Sequence, residues 1–229
     1  MNETMLTVVV PTADSEEPLA YTLAALVPAA ADGFVAEVVV ADAGSSDGTL
    51  VVADAGGCTI VSNDGGAGRL MRAGADAGGR GRWLLFLPPG TELEAGWQRE
   101  AAAFIERAER SGRGAETAAV FRFSLDDLGL SARLSEWRVA AGRALFGLPA
   151  AEQGLLLSRR FYEALGGHRD LPGFEEADLA RRIGRSRLYG LKARARVSSR
   201  LARRDASRLA RYALLALRLP PKLVARLTA

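Results

Sequence analysis

The sequence predicts an α/β protein in which a mostly parallel central sheet is flanked by helices. In the first half of the chain, short apolar runs alternate with stretches of helical pattern. The run at residues 83–87 is apolar throughout, and the run at residues 6–10 is apolar apart from Thr7, so neither alternates with polar residues. Strands of this kind are typical of parallel sheets that helices cover on both faces. We therefore expect strands and helices to alternate in a layered α/β domain.

Each predicted element of the first half has its own sequence signal. The first strand is rich in β-branched residues and ends at Pro11, and the first helix carries leucines with helical spacing. Asp47 begins the second helix, because its side chain can accept hydrogen bonds from backbone donors of the next turn. The predicted strands are residues 6–10, 38–40, 59–61 and 83–87, and the predicted helices are residues 18–27, a segment from about residue 47, and residues 70–77.

The pattern changes after Trp97, where the segments become longer. Residues 118–123 alternate as a strand does, and the spacing of apolar residues in 131–145 predicts a helix with an apolar stripe. We expect this half to hold the acceptor side of any site. Its other predicted elements are helices ending at about residue 110 and over residues 160–165 and 176–183, and a strand over residues 155–157.

Length and composition fit one domain with a short appendage. We assign residues 1–200 to the domain, since a chain of 229 residues buries a sizeable core. The single cysteine, Cys58, excludes an intramolecular disulfide, and one histidine leaves no cluster of Cys/His metal ligands. We see no basic leader before the first apolar run and no apolar stretch of about 20 residues. We therefore expect a cytoplasmic protein.

The positive charge is concentrated in residues 201–229, which we interpret as a basic, amphipathic helical appendage. The net charge is +3, and residues 196–229 hold nine Arg or Lys against one acid, Asp205. One interpretation is an interfacial helix that binds the inner face of a membrane and reaches a lipid-linked acceptor. The other is a helix that packs on the domain or on a second subunit. Nucleic-acid binding is disfavoured, because the basic tail lacks interleaved aromatic residues.

The stretch ADAGSSDGT, residues 41–49, supports two functional hypotheses. Its segment 44–48 fits G-x-S-x-G, which would make Ser46 a hydrolase nucleophile with Asp126 or Asp127 and His168 as partners. However, a nucleophile elbow lies deeper in the sheet, and His168 stands in a Gly-Gly-His-Arg turn where we expect an exposed polar residue. The second hypothesis is a nucleotide site, because the stretch follows an apolar strand that ends at a carboxylate.

An ordered series of segments resembles the family 2 glycosyltransferases of GT-A fold. In the first half these segments are residues 6–11 followed by TADSEEP, then EVVVADAGSSDGT, then GRWLLFLPPGTELEAGW. The second half is similar to one bacterial subgroup of that family, through FGLPAAEQGLLLSRRFYEALGG, LPGFEEADLARRI and SSRLARR. The likeness covers nearly the whole chain, and its specificity comes from the order of the pieces.

The resemblance implies an enzyme that moves a sugar from a nucleotide-sugar donor to an acceptor hydroxyl. It places Pro11 and Asp14 near the nucleoside and Asp42 on the base, which makes Ser46 part of a turn. It also places a general base at Glu176, the second member of the acidic pair that begins with Glu175.

Other positions are assigned to the acceptor side. These are Glu152, Gln153 and Glu175, and Glu152 and Glu176 stand where aspartate is more usual in the family. Without the resemblance, Glu176 would be read as an acid favoured by a helix N-terminus. Asp178, two residues further along the helix, is expected to face elsewhere.

Two departures from the family pattern concern charge at the donor phosphates. The family's metal-binding segment His-Ala-Asp-Thr, which holds Mn²⁺ or Mg²⁺, is replaced by Pro-Pro-Gly-Thr at residues 88–91, so Gly90 stands at the aspartate position. We therefore assign no metal ligand, and an ion would require Glu92 or Glu94 instead.

The second departure is GAGRLMR, at residues 66–72, where the subgroup has Gly-Arg-Ala-x-Gln-Met-Asn. Arg69 or Arg72 would then supply positive charge to the phosphates. The sequence therefore predicts either a metal-independent glycosyltransferase or a catalytically silent relative that binds a nucleotide-sugar or acts as a scaffold.

Overall fold

The structure is a computed structural model that describes residues 6–63, 65–127, 129–146, 149–171 and 173–198. The predicted appendage over residues 201–229 lies outside these residues, so its helices and its membrane role stay predictions. Within the described residues, no helix is long and apolar enough to cross a membrane.

The described strands form one sheet with the order β3-β2-β1-β4-β7-β6-β8-β5. Strands β1, β2, β3 and β4 are mutually parallel, β6 is parallel to β8, and β7 and β5 run in the opposite direction. The sheet is therefore mostly parallel, as predicted. The strands are β1 (Leu6–Thr12), β2 (Val35–Asp42), β3 (Thr59–Ser62), β4 (Trp83–Phe86), β5 (Thr91–Leu93), β6 (Ala118–Leu125), β7 (Leu155–Ser158) and β8 (Leu188–Val197).

Helices cover both faces of the sheet and create two apolar cores. Successive strand residues point to opposite faces, so Val8 and Val10 enter one core and Val9 enters the other. The first core is closed by α1, α2 and α4, and the second by α3, α6 and α7. The helices are α1 (Glu16–Ala31), α2 (Thr49–Ala55), α3 (Ala67–Ala77), α4 (Trp97–Arg110), α5 (Leu130–Phe146), α6 (Arg159–Ala164) and α7 (Glu175–Ile183).

The apolar stripe predicted for α5 is only partly buried. Trp137 is 67% exposed and Leu134 is 48% exposed. The helix instead meets the end of β6 through Glu136, whose Oε1 accepts hydrogen bonds from Ser124 Oγ at 3.0 Å and from the Leu125 amide at 2.9 Å. A polar contact therefore joins α5 to β6, where the sequence pattern predicted an apolar contact.

Strands β5 and β8 were absent from the sequence-based prediction. In β8, Leu191, Ala193, Ala195 and Val197 alternate with three basic residues, which is the period-two signal of a half-buried strand. The sequence-based prediction missed the strand because this alternation lies in a basic segment that resembles a solvent-exposed tail. Pairing with β6 on one side and β5 on the other makes this segment part of the sheet.

Candidate functional site

The loops that follow β1 and β2 are held together by reciprocal hydrogen bonds. The Asp14 amide donates to Ser45 Oγ at 2.8 Å, and Asp14 Oδ1 accepts from the Ser46 amide at 2.8 Å. Two residues after Asp14, Glu16 Oε2 accepts from the Gly48 amide at 3.0 Å. Asp14 has φ +44°, a left-handed conformation that these contacts hold. The loops therefore form one preorganised edge at the carboxyl ends of the two strands.

Asp42 ends β2 at the centre of this edge and is fully buried. Its Oδ1 accepts from the Thr12 hydroxyl at 2.8 Å and the Ser45 hydroxyl at 2.5 Å. Its Oδ2 accepts from the amides of Gly44 at 2.9 Å and Ser45 at 2.8 Å. Burial by itself would raise the pKa of Asp42, but these hydrogen bonds outweigh burial and lower it. The carboxylate is therefore ionised, and its four hydrogen bonds organise the turn that follows.

A mostly apolar cleft opens where the ends of β1 and β4 face the N-terminus of α7. It brings together Pro11, Pro88 and Glu176, which are far apart in the sequence. Of the described residues that line it, Glu176 carries the only carboxylate. The remaining lining residues are Met71, Phe86, Leu87, Val120, Pro149, Ala150, Ala151, Gly154, Leu155 and His168. An acid in a concave apolar site is a candidate for proton transfer.

The two members of the acidic pair have different surroundings, although both begin α7. Glu176 is half-buried and lines the cleft. Glu175 is buried, and burial raises its pKa, although backbone hydrogen bonds from its own amide and from Gly173 and Phe174 oppose the rise. Asp178 instead contacts Arg182, with Nε to Oδ2 at 2.8 Å. Glu176 is therefore the acid of this turn that faces the cleft.

Residues 166–170 form the wall beside Glu176 and are fastened to α3. Arg72 donates through one terminal nitrogen to the carbonyls of Gly166 and His168, the second at 2.9 Å. Arg69 Nε donates to Asp170 Oδ2 at 2.9 Å. Gly68 permits the close approach of the two segments, since a Cβ there would lie 2.1 Å from the Arg169 carbonyl oxygen. The two arginines that we assigned to phosphates thus also hold this wall.

His168 is buried in the wall at 1% exposure, so the expectation of an exposed polar residue is wrong. Its Nδ1 lies 2.9 Å from Tyr162 Oη, and its ring packs edge-on against Phe86 with centroids 4.6 Å apart. Burial, together with the nearby positive charges of Arg182 and Arg72, lowers its pKa to about 3. The ring is therefore neutral at pH 7. Sequence reasoning missed this because a Gly-Gly-His-Arg turn carries no signal of burial.

The predicted acceptor-side residues Glu152 and Gln153 lie on a short 3-10 helix, Ala151–Gln153, next to the cleft. Gln153 is buried, and its side chain accepts from the Ala150 amide at 3.0 Å and donates to the Phe121 carbonyl at 2.7 Å. Its polar atoms are thus engaged in joining this turn to β6. Glu152 is half-buried. Ala151 and Gly154, on either side of the pair, line the cleft.

The segment 88–91 does not offer the ligands that a divalent ion requires. The Gly90 amide donates to the Pro18 carbonyl and to Thr22 Oγ1, both at 2.9 Å. Thr91 Oγ1 is buried and has no partner among the described residues, but Mg²⁺ and Ca²⁺ take about six or more oxygens. No group of three or more His, Cys, Asp or Glu suited to a metal ion occurs in the described part of the chain.

The two alternative metal ligands, Glu92 and Glu94, lie against β8 instead. Glu92 lies opposite Arg196 in the pairing of β5 with β8. Glu94 Oε2 accepts a hydrogen bond from the Arg194 amide at 3.1 Å. Neither is among the residues that line the cleft. The residues described here therefore do not fit the metal site that the resemblance implies.

The positions of Ser46 and His168 also contradict the hydrolase hypothesis. The Ser46 hydroxyl donates to Asp14 Oδ1 at 3.2 Å, and Ser46 is exposed. His168, the one histidine of the chain, instead contacts Tyr162. A nucleophilic serine requires a base within hydrogen-bond reach. The residues of ADAGSSDGT therefore act as the turn that the second hypothesis predicts.

A scan against models of protein families and a search of curated proteins found no match. Solved structures of glucosyl-3-phosphoglycerate synthase from Mycobacterium tuberculosis are similar to the chain. Its complex with Mn²⁺, UDP and glucosyl-3-phosphoglycerate aligns with a TM-score of 0.63 at 19% identity, over 94% of this chain and 81% of that chain. Its complex with phosphoglyceric acid gives a TM-score of 0.64 at 20% identity, over the same shares.

A third structure of that enzyme, with Mn²⁺ and UDP-glucose, gives a TM-score of 0.63 at 19% identity over 94% of this chain and 80% of that chain. At such low identity the likeness establishes the fold and leaves the activity of this chain to be argued from its own residues. The aligned structures belong to a GT-A glycosyltransferase. This chain therefore has the GT-A fold that the sequence resemblance predicted.

Proposed function

We propose that this protein is a glycosyltransferase that moves a sugar from a nucleotide-sugar donor to an acceptor hydroxyl. The observation that carries the proposal is the meeting of Pro11, Pro88 and Glu176 around a small cleft with a volume of about 20 Å³, so that a donor would lie over its mouth. The cleft lies at the carboxyl ends of parallel strands, where open α/β sheets bind nucleotides. The similar solved structures contain UDP or UDP-glucose, which makes a nucleotide-sugar the first ligand to test.

In the proposed reaction, Glu176 takes the proton of the acceptor hydroxyl. The acceptor oxygen forms a bond to the anomeric carbon, and the bond from that carbon to the diphosphate oxygen breaks. The nucleoside diphosphate leaves with the bonding electron pair. Glu176 lies in the first turn of α7 together with Glu175 and Asp178.

The donor would lie against the joined loops after β1 and β2. Pro11 lines the cleft, and Asp14 and Asp42 organise the turn beside it. Both oxygens of Asp42 already accept two hydrogen bonds, so a base N–H would replace one of the bonds from Thr12 or Ser45. Either hydroxyl can rotate, which keeps this exchange local.

We propose that the reaction proceeds without a resident divalent cation. Residues 88–91 include no carboxylate, and the residues of the described chain do not form a metal-binding group. The structural neighbour has been solved with Mn²⁺ or Mg²⁺ and UDP, so the metal dependence of this chain is a necessary part of the test. Arg69 and Arg72 at the start of α3 are the cations that we assign to the diphosphate.

A catalytically silent protein that binds a nucleotide-sugar, or a scaffold, is the second candidate. Two observations favour it: the missing carboxylate at Gly90 and the closed hydrogen-bond set of Asp42. A silent relative would bind the donor without turning it over. Nucleotide binding therefore supports both candidates, and only turnover separates them.

The proposal also covers the acceptor and the cellular location of the protein. We assign Glu152, Gln153 and Glu175 to the acceptor side, as the resemblance implies, although none of them is among the residues that line the cleft. A lipid-linked acceptor would require the basic appendage over residues 201–229 to bind an anionic membrane surface. Sedimentation of the full chain with anionic liposomes at low salt tests this. A protein that stays in the supernatant would contradict membrane association and favour a soluble acceptor.

The test of function combines binding with turnover. The melting temperature would be measured with UDP-glucose, GDP-mannose, dTDP-glucose and their nucleoside diphosphates, each with EDTA or Mn²⁺. We expect one donor to raise the melting temperature in EDTA and to be slowly hydrolysed. A rise that requires Mn²⁺ would overturn metal independence, and the absence of any rise would overturn nucleotide-sugar binding.

The role of Glu176 is tested by Glu176→Gln, which removes the base and keeps the shape. We expect turnover to fall by about 10²- to 10⁴-fold while donor binding is unchanged. Glu163→Gln on α6 is the matched control, since Glu163 is exposed and lies outside the cleft lining. Equal activity of both variants and the wild type would exclude Glu176 as the base.

A further inference from the structure

Tyr162 fixes the tautomer of His168. The Tyr162 hydroxyl oxygen accepts from the His168 amide at 3.1 Å and lies 2.9 Å from His168 Nδ1. Among the described residues, Nδ1 is the only acceptor within hydrogen-bond distance of this hydroxyl, so the hydroxyl proton is satisfied only when it is donated to Nδ1. A neutral imidazole with an accepting Nδ1 carries its proton on Nε2. The ring thus presents a single N–H on the side away from Tyr162.

The Nε2–H group has no partner among the described residues, and it is buried. Buried donors without an acceptor are rare in native proteins, and each calls for an explanation. His168 lines the same cleft as Glu176 and Pro88. Nε2 itself is closed off from solvent, so a ligand oxygen would reach it only after a local shift of the residues that line the cleft. An acceptor oxygen supplied by a ligand would satisfy it.

The ring is also held in place, as a ligand-binding donor requires. Its edge-on contact with Phe86 is made on the cleft side of β4. Its carbonyl accepts from Arg72, and the next residues are fastened through Asp170 and Arg69. A donor in a fixed direction discriminates between ligands by the geometry of their acceptors.

We propose that His168 Nε2–H binds a hydroxyl oxygen of the donor sugar and thereby contributes to sugar specificity. A neutral N–H donates a directional hydrogen bond but carries no charge, so it suits a hydroxyl oxygen more than the charged oxygens of a diphosphate. The positive charges of Arg72 and Arg182 near the ring also oppose a second positive charge there. This inference depends on the proposed function, because it assumes that a nucleotide-sugar occupies the cleft.

The experiment uses the fact that the chain contains a single histidine. Protein labelled with ¹⁵N-histidine gives one pair of ring nitrogen resonances, which report the tautomer directly. The labelled full-length protein would be titrated with the nucleotide-sugar that raises the melting temperature most, and separately with its nucleoside diphosphate. We expect the nucleotide-sugar to shift the Nε2 resonance and the nucleoside diphosphate to leave it unchanged.

Two variants accompany the titration. His168→Phe keeps an aromatic ring against Phe86 and removes the N–H, so we expect about tenfold weaker binding of the nucleotide-sugar and unchanged binding of the nucleoside diphosphate. Tyr162→Phe removes the hydroxyl that fixes the tautomer, and it should weaken binding of the nucleotide-sugar in the same selective way. It also provides a second test if His168→Phe does not fold.

The outcomes separate this inference from the proposed function. If the nucleotide-sugar raises the melting temperature but leaves Nε2 unshifted, His168 is a structural residue and the function stands. An equal shift with the nucleoside diphosphate would overturn the assignment to a sugar hydroxyl. If no nucleotide-sugar raises the melting temperature, the proposed function fails, and this inference fails with it.

Discussion

The two sides of the cleft satisfy their polar groups in different ways. In the joined loops after β1 and β2, Asp42 accepts four hydrogen bonds from protein groups, and hydrogen bonds lower its pKa. On the other side, formed by the wall of residues 166–170 and the start of α7, burial raises the pKa of Glu175, and His168 Nε2 has no partner among the described residues. The first side is complete by itself, whereas the second retains one buried donor for which a ligand would supply an acceptor.

The largest effect on stability is expected from Asp42→Ala. This change removes the acceptor of four hydrogen bonds and leaves the buried hydroxyl of Thr12 and the amides of Gly44 and Ser45 to find other partners. We expect a loss of about 3 kcal/mol in the free energy of unfolding, measured by urea denaturation.

Asp42→Asn is the matched control for this comparison. Its carbonyl oxygen can accept from the two amides, and its NH₂ group can donate to the Thr12 and Ser45 hydroxyls after these rotate. We expect less than half of the loss seen for alanine. Equal losses for the two variants would mean that the negative charge, and not the number of hydrogen bonds, stabilises the turn.

The second prediction concerns the contact between the wall and α3. Gly68→Ala would place a Cβ 2.1 Å from the Arg169 carbonyl oxygen, so the backbone of the wall must move. We expect a loss of about 2 kcal/mol in thermal or urea unfolding. Gly79→Ala is the control, since nothing lies within 4 Å of its added Cβ. A Gly68→Ala variant as stable as Gly79→Ala would show that the wall is not held against α3.

His168 makes the wall sensitive to acid. Its folded pKa of about 3 lies below the ordinary value of 6.5, so only the unfolded chain binds the proton between these pH values. Stability is therefore lost as the pH falls from about 6.5 towards 3. The stability difference between pH 7 and pH 5, measured by urea denaturation, should be smaller in His168→Phe. An unchanged pH profile would contradict the burial of a neutral ring.

The smallest effect is expected from Glu175→Gln, and its pH dependence has the opposite sign. The folded pKa of Glu175 is raised, so its contribution to stability is present at low pH and is lost as the pH rises through the folded pKa. The variant should therefore gain stability relative to the wild type as the pH is raised from 4 to 7. Parallel pH profiles of the two proteins, measured by thermal unfolding, would show that Glu175 is not destabilised by burial.

Local patterns in the sequence were sufficient for most of the architecture. Apolar runs predicted β1, β4 and β7, because strands buried on both faces must be apolar throughout. The alternation with helices also predicted β2 and β3, although β3 is mostly exposed. The acid at the end of β2 and the Gly/Ser turn after it were also predicted, since strand ends and turns have short-range sequence signals. The ordered resemblance added the GT-A fold and Glu176, and the lining of the cleft includes that residue.

Tertiary structure decided what depends on distant partners. The basic segment that became β8 is a strand because it pairs with β5 and β6. His168 is buried because Phe86 and Tyr162 enclose it, and Arg69 and Arg72 contact residues about a hundred positions away. No local pattern records such contacts, since burial and hydrogen bonding depend on which elements meet. The sequence by itself therefore determined the order of most elements and made Glu176 a candidate, whereas only the folded chain determined which polar groups are satisfied and which have no partner among the described residues.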